Sequence, residues 1–385
     1  VPYFFTNKRE KLASTSKKQK PGKLSPKEMI DIINKKAGGS VAYDLRKENP
    51  TDVKDWIPTG SRWLDSIICK GQVGGIPVGK YVEIAGLEST GKSYMAAQIA
   101  ANAQTMGINV VYFDSESAID PGFLTAAGCD LENLVYVQAS DVEFVLSTIE
   151  DFLGFGERCL FIWDSLALTP TVSDIEGDFN PQSSMAMKSR VLSKGFQKLT
   201  QPLANTKSTL LILNQLKTNI TSNIAEAMTT PYFTPGGKAP AYACSLRIWL
   251  TGRKAKASFV LDENGFRVGS EVKAKIKKSR FGTEGRECTF KILWGGEEIK
   301  ICDEESWLDA VKGSESIRNA GAWYTLIYAD GKEEKFQKTN WLEKLQEEKF
   351  KTRVLELMDN EVIKNFENKV GKAANFYDIE EEAVN

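Results

Sequence analysis

Along most of the chain, short apolar runs alternate with longer segments whose apolar residues recur every three or four positions. YVEIAG (81–86), NVVYFD (109–114), CLFIWD (159–164) and STLLILNQ (208–215) read as strands, since near-continuous apolar and β-branched runs suit strands covered on both faces. Helical periodicity fills 92–106, 142–155 and 186–205 between them. This alternation predicts an α/β fold with a twisted, mostly parallel sheet and helices on both faces. CSLRIWLTG (244–252), SEVKAKIKKS (270–279) and ECTFKILWG (287–295) then follow without helices, which predicts an antiparallel extension.

The same pattern divides the chain. Residues 1–23 are basic and rich in Lys, Ser and Pro, a composition that gives a solvated tail or, less often, a nucleic-acid contact. Segment 24–56 holds a predicted helix over 25–37, with Ser25 as cap, Pro26 in its first turn and Gly38–Gly39 as stop. SVAYDL (40–45) is expected to be a strand without a nearby hairpin partner. The αβ core is placed at 57–299, a smaller C-terminal α/β unit at 300–372 and an acidic tail at 373–385. Two stretches, 168–185 and 216–237, follow strands and lack a core pattern; long irregular loops inside a compact domain are usually functional.

Composition narrows the chemistry. The 385 residues carry a net charge of −1 and no histidine, so acid–base work falls to carboxylates, Lys, Tyr or Cys, and zinc ligation by His is excluded. The six cysteines show no CxxC pairing, which fits reduced, mostly buried thiols and a cytoplasmic setting. No run is long and apolar enough for a membrane span, and no signal peptide is expected.

One motif carries specific chemistry. Gly86, Leu87, Glu88, Ser89, Thr90, Gly91, Lys92 and Ser93 spell GxxxxGK[ST] between a predicted strand and helix. Its backbone N–H groups would wrap phosphates, Lys92 would bridge the β- and γ-phosphates, and the Ser93 hydroxyl would ligate Mg²⁺. Asp164, ending CLFIWD, is the expected metal partner. Asp114, Glu116 and Asp120 crowd the end of NVVYFD. If that strand neighbours the one carrying Asp164, Glu116 could activate the water that attacks the γ-phosphate, with Mg²⁺ and Lys92 offsetting repulsion. Asp120 reads equally as an adenine contact and as a helix N-cap before Pro121; Phe123 could stack on the base.

GLESTGKS, YFDSESAIDP, LFIWDSLALTP, DIEGD, LILNQLK, GSEVKAKIKKSRFG and NAGAWY occur in order between residues 27 and 365, and together they resemble the RecA-type recombinases, bacterial and phage. The resemblance implies a RecA-type P-loop ATPase core with an N-terminal protomer-docking helix and strand and a small C-terminal α/β domain. It implies Glu116 as water-activating base, Asp120, Phe123 and Trp294 as adenine neighbours, and Gln215 as the γ-phosphate sensor. Lys278 and Arg280 match two cations that reach the neighbouring subunit's nucleotide; read alone, they are also ordinary charges on a strand edge. Met185 and Ile220 match apolar wedges, and Arg190 and Lys217 match phosphate contacts, in two DNA-binding loops near 168–190 and 216–237.

The implied function is a DNA-dependent ATPase and recombinase that uses ATP and Mg²⁺. It forms helical filaments on single-stranded DNA and exchanges strands with double-stranded DNA, with a single-strand-binding protein or loader as a further partner. A ring helicase on the same core and a non-hydrolysing mediator are the alternatives. The excess of Lys over Arg suggests a phage origin. Ala241 stands where the family usually has a basic residue, and the second loop has extra Pro and aromatic content.

Overall fold

The computed structural model describes residues 24–47, 49, 51–68, 73–177, 185–219, 231–252, 258–295 and 299–363. The chain divides into two compact units, Val1–Asp52 and Val53–Asn385. In the first, helix α1 (Pro26–Ala37) starts at a capping box in which Ser25 and Glu28 satisfy each other's backbone N–H groups, and it stops at Gly38 with φ 70°. Met29, Ile32 and Ile33 on this helix are exposed. Residues 40–45, expected as a strand, pair with no strand among the described residues. The Asn34 side chain takes up the backbone there instead, donating to the Ala42 carbonyl at 3.0 Å and accepting from Val41 and Ala42 N–H at 2.8 Å. A strand without a ladder partner needs another source of hydrogen bonds, and one amide side chain supplies three.

The core of the second unit is built on one ten-stranded sheet. Its short leading elements are β1 (Trp56–Ile57), α2 (Arg62–Ile68) and β2 (Ile76–Pro77). The wound part runs β3 (Tyr81–Gly86), α3 (Lys92–Thr105), β4 (Asn109–Asp114), α4 (Pro121–Ala126), β5 (Leu134–Gln138), α5 (Val142–Gly154), β6 (Cys159–Asp164), α6 (Val172–Glu176), α7 (Met185–Thr206) and β7 (Thr209–Gln215). Then come β8 (Lys217–Thr218), β9 (Tyr232–Phe233), α8 (Ala239–Ala243), β10 (Leu246–Gly252), β11 (Phe259–Leu261), β12 (Arg267–Ser279), β13 (Glu287–Leu293) and β14 (Lys300–Cys302).

The strand order is β14-β13-β12-β10-β3-β7-β6-β4-β5, with β11 added beside β12. Every pair from β10 to β5 is parallel, and the pairs beyond β10 are antiparallel. The predicted parallel sheet with an antiparallel extension is therefore what the chain forms. The helix that Asp120 was read as capping forms as α4, whereas the strand β5 and the short helix α6 were not anticipated. LVYVQ lies at the sheet's edge and is largely exposed although Leu134 to Val137 form an apolar run, so its place in the sheet comes from pairing with β4 alone.

Two apolar layers cover the sheet. Met95, Ile99 and Ala103 of α3 pack on one face with Ile84, Tyr112 and Ile248. Val145 and Ile149 of α5 and Leu192, Phe196 and Leu199 of α7 pack on the other with Phe113, Phe161 and Trp163. A further cluster joins α9 (Glu304–Val311), the three-stranded sheet β15 (Ile317–Ala320), β16 (Trp323–Ile327) and β17 (Glu333–Gln337), α10 (Trp341–Lys344) and α11 (Glu348–Leu357). The described cysteines are free, and Cys129, Cys159, Cys244 and Cys288 are buried.

Asp65 on α2 is nearly inaccessible and accepts the Thr59 hydroxyl at 2.7 Å and its N–H at 3.1 Å. Burial pushes its carboxyl up to about 8, with the nearby Asp303 adding to the rise against the Thr59 hydrogen bonds. The stability from the neutral form is complete below the unfolded-state value, about 4, and is lost as pH rises through about 8. Asparagine imitates the neutral form at every pH. Between pH 5 and pH 8, urea unfolding should therefore show the stability difference moving toward Asp65→Asn, by at most about 1.4 kcal/mol per pH unit.

Candidate active site

The phosphate loop leaves the middle of the sheet, where β3 lies between β10 and β7. A Cβ on Gly86 would collide with Thr90 Oγ1 and the Leu250 carbonyl, and one on Gly91 would collide with Ile292. Glycine is required at both positions, and Gly91 also has φ 80°. Thr90 Oγ1 closes the loop by donating to the Leu87 carbonyl at 2.8 Å; Glu88 and Ser89 stay exposed at its tip.

The helix that follows, α3, has no side-chain cap and no acidic residue in its first turn. Its free N–H groups and dipole thus face the loop ready for an anion. Lys92 Nζ donates to the Leu87 carbonyl at 3.1 Å and the Gly86 carbonyl at 3.4 Å. Burial lowers its pKa, while the charges of Asp164, Glu116 and Glu88 oppose that fall.

Asp164 is buried and accepts Ser93 Oγ at 2.7 Å and the Tyr112 hydroxyl at 2.8 Å on one oxygen. Burial raises its pKa against those two hydrogen bonds, and the charges of Glu116 and Asp114 raise it further. A cation beside it would reverse that rise. Among the described residues no group of three or more acidic, Cys or His side chains could hold a metal alone. A Ser hydroxyl and one carboxylate, completed by phosphate oxygens and water, are what Mg²⁺ commonly takes.

β4 and β6 are neighbours, with Asp114 directly opposite Asp164. Asp114 faces the turn rather than the pocket. One of its oxygens accepts the N–H groups of Glu116 and Ser117 at 2.8 Å. The other accepts those of Ala118 and Ile119 at 3.0 and 3.1 Å and the Tyr136 hydroxyl at 3.1 Å. That turn brings Glu116 to Ser165, whose hydroxyl donates to Glu116 Oε1 at 2.7 Å. Asp120 caps α4 by accepting Phe123 N–H at 3.0 Å.

Phe123 packs edge-on against Tyr94 at 5.2 Å, and Tyr94 stacks on Trp294 at 5.4 Å. Arg267 lies over the Trp294 ring at 5.2 Å. Gln215 pairs with Gly86 across β7 and β3, which sets it at the root of the loop.

The RecA N-terminal domain model matches residues 26–299. Protein RecA of Fusobacterium nucleatum is 31% identical over 299 residues, covering 78% of this chain and 75% of that protein. Protein RecA of Saccharopolyspora erythraea is 30% identical over 293 residues, covering 76% and 80%, and that of Frankia alni is 32% identical over 269 residues, covering 70% and 73%. The chain belongs to the RecA family. Its class is the recombinase and ATPase class that serves recombination and repair.

Other expected residues of this RecA-family chain lie elsewhere. Lys278 Nζ donates to the Ala241 and Tyr242 carbonyls at 2.7 and 3.2 Å, and Arg280 to the Tyr242 carbonyl at 3.2 Å. They close the C-terminal end of α8, and among the described residues no hydrogen bond or ion pair joins them to Lys92, Glu116 or Asp164. Arg190 on α7 and Lys217 on β8 are exposed. The side chain of Met185, first in α7, and the whole of Ile220 lie outside the described residues.

In the described parts of the two loop stretches, β8 and β9 pair Lys217 with Phe233, and α6 starts at a Thr171–Asp174 capping box. Lys188 secures the turn after β6 by donating to the carbonyls of Leu166, Ala167 and Thr169 at 2.7, 3.3 and 2.7 Å. Burial lowers its pKa to about 8.

Tyr94, Tyr112, Ser165 and Lys188 were missed in the sequence. Tyr112 had a signal, since period two on a strand places it on the face of Asp114. Tyr94 directly follows Ser93 and is the third residue of α3. Asp114→Ala would leave four N–H groups without an acceptor, and a loss of about 3 kcal/mol in urea unfolding is expected. Asp114→Asn should lose less, because one oxygen remains.

Proposed function

We propose that this chain is a DNA-dependent ATPase and homologous recombinase whose copies assemble as a helical filament on single-stranded DNA. The observation that carries the reading is the convergence of Lys92, Ser93 and Asp164 with a Glu116 held by Ser165 at the ends of β3, β6 and β4, with β7 between the first two. Family membership supports it. ATP is the substrate: its phosphates lie along residues 86–93, and its base lies by Asp120 and the Phe123–Tyr94–Trp294 aromatic row. Ser93 and Asp164 would hold Mg²⁺, which when bound neutralises charge on the phosphate oxygens.

Glu116 takes a proton from water as the water oxygen bonds to the γ-phosphorus, and the bond to the β-phosphate oxygen breaks, leaving ADP and phosphate. Lys92 leaves the loop carbonyls for the phosphates, whose negative charge favours its protonated form. Gln215 senses the γ-phosphate. Lys278 and Arg280 act on the adjoining copy's nucleotide, and the exposed apolar residues Met29, Ile32 and Ile33 of α1 dock on that copy.

Met185, Ile220, Arg190 and Lys217 contact the single strand without reading bases, so binding is independent of sequence. The C-terminal unit gathers double-stranded DNA, and a single-strand-binding protein or loader assists in the cytoplasm. Among the described residues no helix is long and apolar enough to cross a membrane.

Turnover and strand exchange measured together test this. Single-stranded DNA should stimulate hydrolysis, and homologous duplex should exchange. Glu116→Gln should slow turnover by about a hundredfold or more while nucleotide still binds. Unwinding without pairing would replace the reading by a motor, and neither activity would replace it by a mediator.

A further inference from the structure

The residue before Gln215 spends its whole side chain on three partners. Asn214 Nδ2 donates to Glu83 Oε1 at 2.9 Å and to the Pro235 carbonyl at 3.0 Å, and its Oδ1 accepts the Gln215 N–H at 3.0 Å. The other Glu83 oxygen receives Arg247 Nε, and the Arg247 guanidinium also donates to Thr234 Oγ1 at 3.0 Å. Glu83 and Arg247 are buried and directly opposite on β3 and β10. A buried ion pair adds little stability over well-packed apolar side chains, so the geometry it imposes is its distinctive product.

That geometry concerns the segment leaving the second loop. Thr234 and Pro235, both held by the cluster, directly follow β9, whose pairing with β8 brings the two ends of the loop together. Gly236 and Gly237 come next with φ 95° and 67°, and Cβ atoms there would meet Leu166 and Ser189. The outgoing arm is thus clamped between the sheet interior and the first turns of α7. One set of side chains holds the start of the loop, through Gln215, and its exit, through Thr234 and Pro235.

We propose that Asn214 and Arg247, joined through Glu83, are positioning residues that make the loop's exit follow Gln215, and so set how far nucleotide changes the affinity for single-stranded DNA. None of the three hydrogen-bonds to the phosphate loop or to Glu116 through its side chain; they act through Gln215 and Thr234. This rests on the function proposed above.

Thr234→Val removes one hydroxyl while keeping the shape, and Thr234→Ser restores it. Fluorescence anisotropy of a labelled oligo-dT would be read with a slowly hydrolysed ATP analogue and with ADP, using the full chain and a thermal melt to confirm folding. The ratio of the two DNA affinities should fall about fivefold or more in Thr234→Val and stay near wild type in Thr234→Ser, with affinity for a fluorescent ATP analogue within about twofold. A folded Thr234→Val with the wild-type ratio overturns the proposal alone, as does an equal loss of DNA affinity with both nucleotides. A wild-type chain that binds DNA equally with both nucleotides overturns it together with the recombinase reading.

Discussion

Four main-chain N–H groups converge on the Asp114 carboxylate, and the site depends on that convergence. Three acids within seven residues would otherwise repel one another at the end of a strand. Hydrogen bonds from the turn and from Tyr136 stabilise the first charge internally, so Asp114 needs neither metal nor lysine. The turn it shapes carries Glu116 back to Ser165, beside Asp164. Asp120 is handled separately, at the start of α4, where the helix dipole favours its charge.

The buried charges of the sheet meet different solutions. Glu83 is matched by Arg247 and Asn214. Asp164 has only two neutral hydroxyls, and its raised pKa records the shortfall. Lys92 rests on the Gly86 and Leu87 carbonyls, and burial lowers its pKa against the nearby carboxylates. Lys188 is likewise shared among carbonyls after β6, so a charge left without a counter-charge is not by itself a site. Asp164 and Lys92 are set apart by standing together beside the glycine-rich loop.

The sheet and the phosphate loop were legible because their causes are local. Apolar runs mark covered strands, and glycines mark places where a Cβ cannot fit, as at Gly86 and Gly91. The role of Asp114 was hidden because its partners are backbone N–H groups, which leave no trace in the choice of residues. The Glu83–Arg247 pair was hidden by distance, since 164 positions separate them. YVEIAG read as a strand with one polar interruption, and only the register of β3 beside β10 explains it. SVAYDL looked like a strand on composition alone, but strand formation needs a partner that the described chain does not provide.

The proposed function makes Lys278 and Arg280 the cations that complete the nucleotide pocket of an adjoining copy. In one chain they hold the carbonyls that end α8. Under the proposed function the next copy completes the pocket, and catalysis becomes a property of junctions between chains. Mixing two inactive proteins, Glu116→Gln and Lys278→Ala/Arg280→Ala, on single-stranded DNA tests this most directly. Random co-assembly leaves about a quarter of junctions with both halves intact, so hydrolysis should recover toward that fraction of the wild-type rate. No recovery from a mixture that co-assembles on DNA would contradict a pocket shared between copies.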